Sequence, residues 1–496
     1  MKLNVGGRLF ETTESTLGSG GPDSLLAALS QAHHRHENEE EEEEEEEEEH
    51  VIFIDRDPDV FSVLLSLLRS GRLPSAASRQ FSKQDLLEES VYYGIEPILR
   101  SAMSPPPLLG IDASLSTTIL PKADPFPTAL SADAPDGSLW LAHGGQISSY
   151  DSNLTYLSTV RTHLDDVTSL RRLFPSSDVS AVGSLRSPGL HFYDVSSGRH
   201  VGSAHWSDPS DPRVYKAKVT AIAAHPPDPP SSHPLFASFE CPHWENTILS
   251  LDRATLQIVS EIGRQNGSSS KLAAPGKLVH VAEKGLVFAS AVSSGSFGYA
   301  GYMRLWDPRS SRGAAVWETC EPGGVGSSSR FGDSFADADV DTEELAIYKV
   351  CWNSGDVAVA DMRMLEQGRD HDPWFYLEDK GTGLRSAGRG QDSVLHCYKK
   401  QVFVSRHSGL EVCSSPVEEE PEGEEESSYG EGEGTISRSK GRTYMRNFVD
   451  KEEDTKRGMI RKMEGGGDRL FVSRDGMEGV EVWESSHLSG AISLLY

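Results

Sequence analysis

No apolar run in this chain approaches the roughly 18 residues that a membrane-crossing helix needs. The N-terminus passes directly into a strand pattern, without the basic and apolar regions of a secretion signal. Cysteine is scarce: five residues, at 241, 320, 351, 397 and 413, with no pair at zinc-ligand spacing. An odd, scattered set suits unpaired thiols in a reducing compartment. The expected location is cytoplasmic, with the nucleus as a second compartment, and no membrane partner is expected. Hydrophobic content is 37 %, low but sufficient for folded domains with polar insertions, and 496 residues leave room for two to four of them.

Positive charge is the other shortage. The formal net charge is −29, and two segments carry most of it. Glu37 and the run 39–49 contribute 12 negative charges, and the glutamates between 418 and 433 contribute 9, which leaves −8 for the rest. No basic stripe offsets this acidity, so nucleic-acid binding is disfavoured. Dense like charge repels itself and cannot bury a core. The segment 37–49 is therefore read as a loop insertion, and about 415–442 as a disordered acidic loop on the surface. Beside the first lies His33-His34-Arg35-His36, which invites a metal reading; an exposed loop edge is preferred. Beyond the second, Ser437-Arg-Ser-Lys-Gly-Arg442 is too short for a nuclear signal.

Catalytic motifs are missing too. There is no His-Glu-x-x-His helix, no phosphate-binding P-loop and no Gly-x-Ser-x-Gly elbow. The glycines around Gly323 and Gly430 lie between no clear strand and helix, and Cys241-Pro-His243 reads as a strand-end turn. A non-catalytic protein without cofactor or metal is expected.

The most informative stretch present is 51–71. Val51-Ile-Phe-Ile54 reads as a buried strand, Asp57 as an N-cap, and Pro58 as the first helical residue, where its missing N–H costs nothing. Phe61, Leu64, Leu65 and Leu68 form one helical stripe, and Gly71 ends it. Residues 2–5 and 8–13 should pair as a hairpin about Gly6-Gly7. Asp23 should cap a helix over 24–32, Ser82-Lys-Gln-Asp85 should open another that Gly94 ends, and 95–103 should make a last short one. Residues 104–127, with six prolines, read as a linker.

Leu3-Asn-Val-Gly-Gly-Arg-Leu-Phe10, Phe53-Ile-Asp-Arg-Asp-Pro58 and Tyr92-Tyr-Gly-Ile95 occur in that order. Together they closely resemble the BTB/POZ domain of the potassium-channel-tetramerisation type, an α+β fold, over residues 1–103. The resemblance implies self-association, with the turn Asp55, Arg56, Asp57 and the neighbouring Phe61 at or near a subunit or partner interface. Some such domains hold a zinc between subunits, but residues 1–240 contain no cysteine, so that site is not expected.

From 128 to 496 the chain becomes β-rich. An apolar strand, a short polar turn and a second strand, most often ending near an acid, recur seven times. The pairs are 138–142 with 147–151, 179–183 with 191–194, 235–238 with 248–252, 286–290 with 303–307, 345–348 with 357–361, 402–405 with 410–413, and 470–473 with 480–484. Their spacing of about 40 to 70 residues is near that of propeller blades with loop insertions. The acid can accept backbone N–H groups of the next turn. An all-β propeller of about seven divergent blades is preferred over a pair of sandwiches. Leu305-Trp-Asp307 resembles the end of a WD repeat and Val482-Trp-Glu484 echoes it, but the Gly-His pair of that family is absent from every unit. Its His–Ser/Thr–Trp hydrogen-bond network is therefore not expected.

This order of domains resembles plant BTB/POZ proteins and animal counterparts. The resemblance implies a cullin-3 ubiquitin-ligase adapter, binding cullin through the BTB domain and a protein target through the propeller. The alternative is an oligomeric scaffold that binds no cullin. Trp244 and Trp374 sit in loop-like contexts and are candidate anchors for the target, with packing between blades as the competing role.

Overall fold

The computed structural model describes residues 1–40, 51–71, 73–74, 80–103, 105, 107–122, 126–133, 135–174, 177–224, 234–267, 269–295, 298–310, 314–321, 334–365, 373–377, 392–406, 409–414, 435–439, 442–450 and 457–485. They fall into two compact units, Met1–Pro105 and Pro106–Tyr496. Among the described residues no helix is long and apolar enough to cross a membrane.

In the first unit β1 (Lys2–Val5) pairs antiparallel with β2 (Arg8–Glu11) and parallel with β3 (Val51–Ile54). Among the described residues, α1 (Glu14–Gly18) and α2 (Leu25–Glu40) lie between β2 and β3, and α3 (Pro58–Ser70), α4 (Lys83–Tyr93) and α5 (Glu96–Met103) follow β3. Asp57 caps α3 by accepting from Asp59 N at 2.8 Å, and Ser82 and Asp85 form the reciprocal capping box of α4. The α2 cap is Ser24 rather than Asp23: the Ser24 hydroxyl accepts from Ala27 N at 3.1 Å. Helix α2 also runs past 32 to Glu40, so the histidines 33–36 lie within a helix and not at a loop edge. Glutamate is a good helix former, and neither glycine nor proline interrupts the run. The rest of the first acidic tract, 41–49, and the stretch 415–434 lie outside the described residues.

Two of the sequence motifs meet in space. Gly6 turns the β1–β2 hairpin at φ +55° and donates its N–H to the Ile54 carbonyl at 2.9 Å. A Cβ at Gly6 would lie 2.4 Å from the Arg56 carbonyl oxygen and 2.9 Å from Pro58 Cδ. The glycine hairpin and the Asp-Arg-Asp-Pro turn thus require each other. Gly6→Ala should destabilise this unit by about 2–4 kcal/mol, from the left-handed backbone plus a clash with rigid main chain. Chemical denaturation of the full chain, followed by a probe in this unit, should show the lowered midpoint.

Among the described residues, the second unit is a propeller of seven antiparallel sheets, six with four strands and one with five. The first strands of successive blades, from Ala129–Ala132 in blade 1 to Ile460–Gly466 in blade 7, neighbour one another in a closed ring. The seven sequence pairs are the second and third strands of the blades, buried on both faces. The acid at the end of the third strand does what its chemistry suggests. Asp151 accepts from Asn153 N and Thr155 N at 2.9 and 2.7 Å, and Asp194, Asp252, Asp307 and Asp361 hold equivalent turns.

Two expected boundaries need correction. Within the presumed linker 104–127, β4 (Ala113–Ile119) is the outermost strand of blade 7, pairing antiparallel with Val480–Ser485. It is stapled by Leu109 N to Ser485 Oγ at 2.8 Å, Gln401 Nε2 to the Leu108 carbonyl at 2.8 Å, and Asn447 Nδ2 to the Ile111 carbonyl at 2.6 Å. The outer strand has one sheet neighbour and so needs no strong apolar signature. In the second acidic segment, Thr435–Ser439 is a strand paired with Arg442–Asp450, not part of a disordered loop to 442.

Candidate functional site

The turn Asp55, Arg56, Asp57 is exposed. Arg56 lies over the Tyr92 ring, 3.9 Å from its centroid, and pairs with Glu89 at 3.3 Å. Asp57 is engaged in capping α3, while Asp59 pairs with Arg8 at 2.6 Å. Phe61 does not join this surface. It is 0 % exposed, edge-on to Phe10 at 5.0 Å and packed against Tyr93 at 5.2 Å. It belongs to the apolar stripe of α3, which faces the core.

Sequence reasoning missed a second surface. Leu9 and Phe53 both lie opposite Asn4 in the ladders, so their side chains share the outer face of the sheet. They are 63 % and 62 % exposed. Val91 and Tyr92 on α4 are exposed as well, and Tyr92 lies against Arg56. The alternation in Leu9-Phe10 and Ile52-Phe53 could have signalled a sheet with apolar residues on both faces.

In the propeller, a cavity of about 710 Å³ is lined by the innermost strands. Its charges join blades. Arg172 pairs with Asp133 at 2.7 Å, Arg171 with Glu464, and Lys277 with Asp337 at 3.0 Å. Lys462 donates to the Thr128 and Thr168 carbonyls at 2.8 and 3.1 Å. Burial alone would lower the Lys277 pKa, but the carboxylates of Asp337 and Asp339 outweigh it and the shift is upward. His396 sits between Asp339 Oδ2, 3.4 Å from its Nδ1, and the Gly465 N–H, which donates to its Nε2 at 2.9 Å. Both ring nitrogens are engaged, so this imidazole is not poised as a general base. Burial, then the Asp339 charge, push the adjacent Cys397 thiol well above its ordinary pKa, so it is no nucleophile.

The structure separates the two tryptophans. Trp374 is 7 % exposed and packs edge-on to Trp317 of blade 4 at 6.5 Å. The buried Lys349 ammonium lies 4.2 Å from its ring centroid. Trp374 therefore packs between blades 4 and 5 and is not a partner anchor. Trp244 is 58 % exposed, at φ +64°, in the turn between the second and third strands of blade 3. Cys241-Pro-His243 belongs to that turn, with Trp244 N donating to the Cys241 carbonyl at 3.1 Å. Antiparallel order puts such turns on the rim that also carries the connections between blades. Among the described residues, one histidine group has ligand geometry: His163, His191 and His200, each with a ring nitrogen within 4.8 Å of the others.

Residues 1–102 match the BTB/POZ domain model. The chain is 33 % identical over 493 residues to the BTB/POZ domain-containing protein At5g41330 of Arabidopsis thaliana, covering 98 % of this chain and 96 % of that one. It is 37 % identical over 154 residues to At4g30940 of the same plant, covering 30 % of this chain and 31 % of that one. Among solved structures, the beta-propeller domain of Myceliophteria thermophila Cps50 (Swd1) aligns with a TM-score of 0.46 and 10 % identity, over 75 % of this chain and 100 % of that one. An interaction domain followed by a propeller defines a class of protein-binding proteins, and both folds are typically non-catalytic. Within that class, this chain belongs to the BTB/POZ domain-containing proteins, of the potassium-channel-tetramerisation type.

Proposed function

We propose that this protein is a non-catalytic adapter of a cullin-3 RING ubiquitin ligase, self-associating and engaging cullin through the BTB unit and holding a protein target on the propeller. One observation carries this reading. The BTB unit has a complete core yet leaves Leu9, Phe53, Val91 and Tyr92 in solvent. Exposed apolar side chains grouped on an interaction domain mark surfaces that await a partner. The channel charges of the propeller, by contrast, are tied up in joining blades, which leaves the rim, with Trp244, for the target. Bringing a target close to a loaded conjugating enzyme raises effective concentration and needs no chemistry from this chain. None of its five thiols is in a disulfide, which suits the cytoplasm.

Affinity purification of the full chain, with and without proteasome inhibition, tests the proposal. Cullin-3 should co-purify, and should persist when residues 106–496 are deleted. Partners that depend on the propeller should accumulate under inhibition and carry ubiquitin. If cullin-3 is absent and those partners neither accumulate nor carry ubiquitin, the chain is a scaffold. Sedimentation tests self-association: Phe53→Asp should weaken it at least tenfold, by placing a charge in an apolar contact, and Arg56→Ala should weaken it less. A wild-type monomer at micromolar concentration would reject the oligomer.

A further inference from the structure

His191 lies on the third strand of blade 2, and His200 on the fourth. The ladder sets His200 opposite Tyr193, two residues from His191, so the three side chains share one face. His163 reaches the same place from the connection between blades 1 and 2. Its backbone is fixed by Thr162, which bonds the Gly145 carbonyl through its N–H at 2.9 Å and its hydroxyl at 2.7 Å. The rings of His163 and His191 are 5.1 Å apart, and those of His163 and His200 5.0 Å.

The hydrogen bonding around these rings suits a metal ligand set. His191 Nε2 lies 3.1 Å from the Pro188 carbonyl, which can only accept, so that nitrogen carries the proton. The lone pair is then on Nδ1, which is buried and has no partner. His191 is 5 % exposed, and buried polar atoms without partners are rare. The Tyr193 hydroxyl sits 2.6 Å from His163 Nδ1, the kind of outer bond that orients a metal-bound imidazole.

We propose that His163, His191 and His200 form a binding site for a borderline divalent transition metal, Zn²⁺ above all, joining blades 1 and 2. Three imidazoles with an open fourth position are a tetrahedral donor set, and nitrogen donors exclude Ca²⁺ and Mg²⁺. Ligand nitrogens around zinc stand about 3.3–3.5 Å apart, given Zn–N distances of roughly 2.0–2.1 Å. The present separations, up to 4.8 Å, close by small rotations of His163 and His200, both of which are exposed.

The test uses the full chain with His33, His34 and His36 replaced by alanine, so that those histidines cannot contribute. Co²⁺ titration should give one ion per chain, with the visible bands of a tetrahedral ion and no sulfur charge-transfer band, and Zn²⁺ should displace it. His163→Gln and His200→Gln should each weaken binding at least tenfold, and the double variant should lose the bands. Zn²⁺ should raise the melting temperature of the parent by several degrees and leave the double variant unmoved. If the parent shows no tetrahedral bands, shows sulfur bands, or keeps its bands in the double variant, the three rings are packing groups only.

Discussion

Deleting residues 113–119 from the full chain should destroy the propeller rather than shorten a linker. The segment supplies the outer strand of blade 7 along the whole of Val480–Ser485. It buries Ala113 and Ile119, packs Leu115 against the core of blades 6 and 7, and leaves Trp483 uncovered when removed. Several strand hydrogen bonds at about 1 kcal/mol each and three apolar side chains at about 1–2 kcal/mol each put the loss at or above about 5 kcal/mol. That is comparable to the whole stability of many domains. The deletion variant should be insoluble, or should melt more than about ten degrees below the full chain. Normal melting of the deletion variant would show that blade 7 closes without this strand.

Lys349→Met should strongly destabilise the propeller. Lys349 is 0 % exposed and pairs with Glu321 across the boundary between blades 4 and 5, its ammonium against Trp374. Removing the lysine leaves a carboxylate buried without its cation, which costs about 3–5 kcal/mol. Lys349→Met combined with Glu321→Leu should recover most of that loss, because replacing both charges by apolar groups is often nearly neutral. Denaturation of the two variants and the wild type measures the difference. A double variant as unstable as the single one would place the effect in packing around Trp374 instead.

The parts of this fold legible in the sequence were those whose pattern is made locally. The caps of α3 and α4 are short-range motifs, and the middle strands of each blade, covered on both faces, read as apolar runs. The inner strands did not show. Phe335–Asp341 mixes phenylalanine, alanine and valine with aspartates, and Asp337 and Asp339 find partners, Lys277, His396 and the N–H groups of Leu395 and Cys397, in other blades. The outer strands, such as Arg199–Ala204, face solvent and look polar. For β4 the surrounding prolines spoke for a linker, while its pairing partner lies more than 360 residues away. The candidate site divides in the same way. Asp-Pro-Trp374 signals a turn, but nothing local says that blade 4 covers it. The histidine group is assembled from two strands of blade 2 and the connection that leads into that blade, so no spacing announces it.

The position of β4 also sets the order of events during synthesis. As the chain leaves the ribosome this strand emerges before any blade, yet its partner, Val480–Ser485, follows more than 360 residues later. At roughly 5–20 residues per second, the strand waits on the order of 20–70 seconds with its backbone groups unpaired. Blades 1 to 6 can form in turn, but the ring cannot shut until residues 480–485 have been made. Such a delay exposes a strand edge to wrong partners. A nascent chain stalled before residue 480 should therefore hold chaperones on residues 113–119 and release them once the final strand arrives.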